Sequence, residues 1–126
     1  METIFISHVE DCNWQQKEDF KDLRWKYFVD SSQSNSHGLS CGIIQIPVRA
    51  ELKLHFHIPQ EIYIIRAGEG LLLGDDKNNQ RVAKDSIVYI PRNYRHGLRN
   101  IGMIPLEVIW IFPTDCWEEV KYVFDK

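Results

Sequence analysis

His55-Phe56-His57-Ile58-Pro59-Gln60-Glu61 decides how the rest of this chain is read. His55 and His57 are two residues apart. On a β-strand alternate residues share a face, so both imidazoles point the same way. Ile58-Pro59-Gln60 reads as a short turn, and Glu61 opens a second apolar run through Ile65. A hairpin there returns the carboxylate beside the two rings. His96, well downstream in a similar strand-like setting, is a fourth candidate. Three imidazoles and one carboxylate suit zinc, iron, nickel or manganese.

Working outward, short apolar runs alternate with turn residues. They cover residues 25–30, 39–46, 52–57, 61–67, 70–73, 81–82, 86–90, 96–99 and 106–112. These runs are rich in β-branched and aromatic residues and recur about every ten positions, which predicts an all-β sandwich or barrel. Residues 75–79 (Asp-Asp-Lys-Asn-Asn) are expected to form a hairpin tip, and the Ser/Asn/Gly-rich stretch 31–38 a loop. Residues 1–22 read as a peripheral segment, with a first strand expected at 3–7 and a helical turn or loop at 14–22. Residues 117–124 are expected to be a turn followed by a strand. At 126 residues, with no repeat or linker, the chain is expected to be a single domain spanning 1–126.

Composition narrows the partners. A net charge of −3 and a pI near 5.9 argue against nucleic acid or an anionic membrane surface. Arg92, Arg95 and Arg99 are a local exception, readable as a solvated surface, a dimer contact or a clamp for an anionic substrate near His96. Cys12, Cys41 and Cys116 are odd in number and far apart, which disfavours a zinc knuckle or redox pair and suits a reduced, cytoplasmic setting. The first six residues lack the pattern of a signal peptide, and no apolar run is long enough to cross a bilayer.

These residues resemble the cupin superfamily. Its first motif runs Gly, five residues, His-x-His, three or four residues, Glu, six residues, Gly; His55, His57, Glu61 and Gly68 fit, with Arg49 at the leading glycine. Its second motif runs Gly, five residues, Pro-x-Gly, two residues, His, three residues, Asn; Pro91, His96 and Asn100 fit. Asp85 and Asn93 stand at its two glycines, and both residue types tolerate a left-handed backbone. The motifs span residues 49–100, about 40% of the chain. The resemblance implies a jelly-roll barrel (the double-stranded β-helix), one divalent transition metal (Fe, Ni, Mn or Zn) on His55, His57, Glu61 and His96, and a homodimer.

A closer resemblance runs through Arg24-Trp25-Lys26, Gly38-Leu39-Ser40, the histidine stretch, Glu61-Ile62-Tyr63, and Trp110 to Asp115 followed by Glu119 to Tyr122. It is to the short, single-domain cupin lyases acting on dimethylsulfoniopropionate. That implies a small carboxylate-bearing substrate and β-elimination to dimethyl sulfide and acrylate. It also implies Tyr63 as the base, sharing the inward face of Glu61, with Tyr122 assisting. Trp25, Tyr27, Phe56 and Trp110 are candidates for an aromatic face toward the sulfonium cation. The same ligand set also serves Fe(II)-dependent cupin dioxygenases, and the scaffold also serves sugar isomerases and non-enzymatic small-ligand-binding or storage cupins, so the residues leave these alternatives open. His8 and His37 fall outside both motifs; His37 is expected at the surface.

Overall fold

The computed structural model describes residues 3–75 and 79–124. Ten strands appear among them: β1 (Arg24–Val29), β2 (Ser40–Ile46), β3 (Glu51–Phe56), β4 (Glu61–Ala67), β5 (Glu69–Gly74), β6 (Gln80–Ala83), β7 (Ile87–Ile90), β8 (His96–Asn100), β9 (Leu106–Phe112) and β10 (Val123–Phe124). They form two five-stranded antiparallel sheets. One runs β1-β2-β9-β4-β7 and the other β10-β3-β8-β5-β6. This is the all-β jelly roll expected.

The alternation that makes the strands also makes the core. In β9, Leu106, Val108, Trp110 and Phe112 are buried, while Glu107, Ile109 and Ile111 between them are less so. Ile65 of β4, Ile46 of β2 and Leu98 of β8 meet them from both sheets. Trp110 is accommodated by Gly42, its partner across β2 and β9; any Cβ at Gly42 would collide with the indole and with the Lys26 carbonyl.

One part of the sequence behaves differently from expectation. Residues 3–7 form no strand, because among the described residues no neighbouring strand pairs with them. Residues 14–22 form the expected helical turn or loop, with one short 3₁₀ turn, Glu18–Phe20, whose Phe20 packs edge-on against Trp25 and Trp117. Toward the other end of the chain another 3₁₀ turn, Trp117–Glu119, leads into β10, matching the turn-then-strand expectation. The expected tip lies between β5 and β6, which do pair as a hairpin; Asp75 is in the turn, and residues 76–78 lie outside the described residues.

The glycine positions of the motifs keep their geometry. Gly68 has φ +88°, and a side chain there would press on the Pro105 carbonyl. Arg49, Asp85 and Asn93 stand where glycines were expected, and all three have positive φ (69°, 74° and 61°). They are the described non-glycine residues in that region. The turns therefore demand a left-handed residue whatever side chain occupies them. Asn100, the last motif residue, is buried and structural. Its Nδ2 donates to the carbonyls of Ile46 and Ile104, both at 2.9 Å, and its Oδ1 accepts from the Gly102 N–H.

Candidate metal centre

β3, β4 and β8 deliver four polar side chains to one buried spot. His55 lies in β3 and pairs directly with His96 of β8, so the two rings stand 4.3 Å apart, centroid to centroid. His57 lies just beyond the end of β3 but keeps the inward orientation. Glu61 is the first residue of β4. All four are buried. One ring nitrogen from each of His55, His57 and His96 lies within 4.8 Å of the others. Glu61 Oε1 is 3.2 Å from His57 Nε2 and 3.3 Å from His96 Nε2.

The backbone orients the rings. His55 Nδ1 donates to the Lys53 carbonyl at 2.7 Å, His57 Nδ1 to Pro59 at 2.9 Å, and His96 Nδ1 to Tyr94 at 2.8 Å. A carbonyl can only accept, so Nδ1 carries the proton in each case. A neutral ring protonated there presents a bare lone pair at Nε2. The Nε2 atoms of His55 and His96 are buried and have no hydrogen-bond partner. Burial, then the repulsion that His96 would exert on a second protonated ring, holds the His55 imidazole down to about pKa 3, so it is neutral across the physiological range. Ring nitrogens and a carboxylate converging on one buried point form the donor set a divalent cation needs, and the orienting of each ring by a second hydrogen bond is the usual support of metal-binding histidines. The residues therefore fit a transition-metal ion.

A cavity of about 20 Å³ lies beside this cluster, room for about one water molecule. Glu61 and Tyr63 of β4 line it with Trp25 and Trp110. Tyr63 is fully enclosed, and its hydroxyl has no partner. Burial first, and the Glu61 carboxylate next, push this phenol well above its usual pKa. Tyr122 closes the cavity from the other side, its ring stacked on His55 at 4.6 Å and 18°. Burial and Glu61 raise its pKa too, while the Trp117 indole, donating to its hydroxyl at 3.2 Å, opposes the rise.

Several expected roles are redistributed. Of the four aromatic candidates, Trp25 and Trp110 line the cavity. Phe56 does not, because it alternates with His55 and lies under Arg95 instead. Tyr27 packs edge-on against Trp110 without reaching the cavity lining. Two of the three clustered arginines face carboxylates. Arg99 sits between the inward Leu98 and Asn100 and so turns outward to Glu51 at 3.3 Å; Arg95 is 3.6 Å from Asp75, and Arg92 is exposed. His8 is exposed and accepts the Glu10 N–H, and His37 is exposed as expected.

Three residues near the site had no sequence signal. Phe20 and Trp117 meet edge to face at 5.5 Å and, with Tyr122, separate the cavity from an outer groove of about 430 Å³. Asp30 is buried and holds this wall in place: its Oδ2 accepts the Trp117 backbone N–H at 2.9 Å, and its Oδ1 accepts from Ser32. Across the wall, Lys17 and Glu118 form an ion pair at 2.6 Å. No helix among the described residues is long and apolar enough to cross a membrane.

Comparison with known proteins gives one family match and several relatives. A family model described as Cupin domain matches residues 42–112. An uncharacterized protein of Methanocaldococcus jannaschii, MJ1618, is 37% identical over 65 residues, 51% of each chain, so the chain spans about half the length of that relative. The dimethylsulfoniopropionate lyase DddW of Ruegeria pomeroyi is 23% identical over 105 residues, 83% of this chain and 68% of the lyase. Among solved structures, the polyketide cyclase RemF from Streptomyces resistomycificus superposes with a TM-score of 0.82 at 16% identity, covering 98% of this chain and 88% of the cyclase.

Proposed function

This chain belongs to the cupin domain family, and from that premise we propose that it is a metal-dependent lyase that splits dimethylsulfoniopropionate into dimethyl sulfide and acrylate. One observation carries the reading. Three histidines that could hold a metal ion converge beside Glu61, and Glu61, Tyr63 and Tyr122 line one small cavity in which the Tyr63 hydroxyl has no partner. The lyase relative gives that arrangement a reaction; the cyclase, at 16% identity, speaks to the fold alone.

His55, His57, His96 and Glu61 would hold the ion, through ring nitrogens and one carboxylate. The bound cation supplies Lewis acidity toward the substrate carboxylate and a positive charge that offsets the effect of burial and Glu61 on Tyr63. Acting as the phenolate, its own proton given up to solvent before the substrate reacts, Tyr63 would take the α-proton at Oη and become the neutral phenol. The Cα–H electron pair becomes the second bond of acrylate, the Cβ–S bond breaks, and its pair leaves on sulfur as neutral dimethyl sulfide. Tyr122, held by Trp117, orients the substrate from the opposite wall. Trp25 and Trp110 present ring faces to the sulfonium. The cavity is too small for the substrate as it stands, so entry requires Phe20 and Trp117 to part.

The test is headspace dimethyl sulfide after adding dimethylsulfoniopropionate to the metal-loaded chain. Release that depends on added metal supports the reading. No release with any of Fe, Ni, Mn, Zn or Co refutes it, and oxygen consumption on a small organic substrate in the same preparation points instead to a dioxygenase.

A further inference from the structure

Residues 16–22 carry one half of the wall between the cavity and the outer groove, since Phe20 lines both. They form a strap fixed at its two ends. Gln15 exchanges backbone hydrogen bonds with Trp25 of β1, at 2.6 and 3.1 Å, and Leu23 is buried. Between these anchors the backbone bonds locally, from the Phe20 N–H to the Lys17 carbonyl and from the Leu23 N–H to the Phe20 carbonyl. Among the described residues, the side chains of Gln16, Glu18, Asp19, Lys21 and Asp22 make no hydrogen bond or ion pair.

Two side chains therefore hold the middle of the strap down. The Phe20 ring packs edge-on against Trp25, Trp117 and Tyr122, each at 5.5 Å. The Lys17 ammonium bonds the Glu118 carboxylate at 2.6 Å and lies 5.0 Å over the Trp117 ring. That bond raises the pKa of Lys17 and lowers that of Glu118, so both are charged at neutral pH. The facing side of the wall is fixed, because the buried Asp30 accepts the Trp117 backbone N–H at 2.9 Å. The strap is thus the part free to move, and an ion pair is its latch. Lys17 and Glu118 are 44% and 63% exposed, and water competes for charges so exposed, so the latch is weak. A ligand that offers each charge a new partner replaces it at little cost. The groove of about 430 Å³ outside the wall has room for one and is lined by both charges together with Phe20, Trp117, Tyr122 and Phe124.

We propose that this outer groove is a docking site for zwitterions whose carboxylate and onium cation are two carbons apart, and that such a ligand opens the wall by charge exchange. Its carboxylate takes Lys17. Its cation takes Glu118 and the Trp117 ring face that the ammonium leaves. Lys17 is then released from the fixed side of the wall, and the strap lifts Phe20 off Trp117. A plain carboxylate would pair with Lys17 but leave Glu118 facing a second negative charge, and a plain cation would do the reverse. The choice of zwitterion rests on the lyase reading above; the latch does not.

Binding is read by calorimetry on the full chain, with and without metal. The probes are 3-(trimethylammonio)propanoate, which has no sulfur to release, propanoate and tetramethylammonium. The zwitterion is expected to bind about fivefold tighter than either single charge. Glu118→Gln should weaken the zwitterion about fivefold yet leave propanoate as tight or tighter, whereas Lys17→Met should weaken both; a purely structural pair would move all the ligands together. Opening is read without ligand, by acrylamide quenching of the buried Trp25 and Trp110 in a Trp14→Phe chain. Lys17→Met and Glu118→Gln should each raise quenching about twofold or more, and the reversed pair, Lys17→Glu with Glu118→Lys, should restore it. A zwitterion bound no tighter than propanoate, Glu118→Gln weakening both alike, or quenching unchanged when the pair is broken would each overturn the proposal. Dimethyl sulfide release without these effects sinks the docking site alone, and these effects without release sink the lyase reading alone.

Discussion

Acidifying the metal-free protein from pH 7.5 to pH 5 is expected to remove about 2 kcal/mol of folding stability through His55. Burial and the neighbouring His96 hold its folded pKa down to about 3. In the unfolded chain an exposed histidine titrates near about 6.5. Below about pH 6.5 the unfolded chain therefore takes up a proton that the folded chain refuses, and stability falls with pH until the folded pKa is reached. At pH 7.5 both forms are neutral and the effect vanishes. At pH 5 the unfolded form is about 1.5 units below its pKa, and at about 1.4 kcal/mol per unit this gives the 2 kcal/mol stated. Continued to pH 3, the same working reaches on the order of 5 kcal/mol. The assay is urea unfolding of chelator-treated protein at several pH values, followed by the fluorescence of its four tryptophans. With a slope of about 2 kcal/mol/M, the midpoint should fall by about 1 M between pH 7.5 and 5. NMR of the His55 ring gives a residue-specific check, since its signal should stay at the neutral position over that range. An unchanged urea midpoint, or a His55 ring that titrates between pH 6 and 7, would refute the burial argument.

Three substitutions separate holding the metal from doing chemistry and from building the turn. Tyr63→Phe removes a hydroxyl that has no hydrogen-bond partner, so the protein should melt no lower and bind metal as before, while elimination falls by about a hundredfold or more. Near-normal dimethyl sulfide release would mean that another group is the base. His96→Ala removes one of three converging imidazoles, and elemental analysis after dialysis should find less metal in a chain whose circular dichroism is unchanged; full occupancy would show that the ion is held elsewhere. Arg49→Gly should stabilise by about 1 kcal/mol, raising Tm by about 3–5 °C, because a left-handed non-glycine residue is relieved and no side-chain bond of Arg49 is lost; a lower Tm would contradict the strain at that φ.

Reading the chain as a string of residues worked where a side chain's neighbours along the strand decide its direction. The alternation of Leu106, Val108, Trp110 and Phe112 is visible without coordinates, and the same parity places Tyr63 beside Glu61. It should have turned Arg99 and Phe56 outward as well, since each sits one residue from an inward side chain. What parity cannot supply is anything set by a distant backbone. Trp110 fits only because Gly42, far away in the chain, leaves it room. Phe20 and Trp117 meet across almost the whole sequence, and the Asp30 that fixes their wall does so through a backbone N–H.

The three histidines show the same division more sharply. Their presence and spacing were legible; what makes them a donor set was not. Each ring is turned by a carbonyl two residues away, at Lys53, Pro59 or Tyr94, and a carbonyl has no residue type to read. Arg49, Asp85 and Asn93 make the complementary case. Their residue types depart from the glycine pattern, yet the positive φ persists at all three, and the Asn93 N–H bonds the carbonyl of His57 itself at 2.9 Å. A left-handed turn at Asn93 thus ties the loop before His96 to the strand end that carries His57, so the backbone conformation, more than the identity of the residue adopting it, brings two of the candidate ligands together.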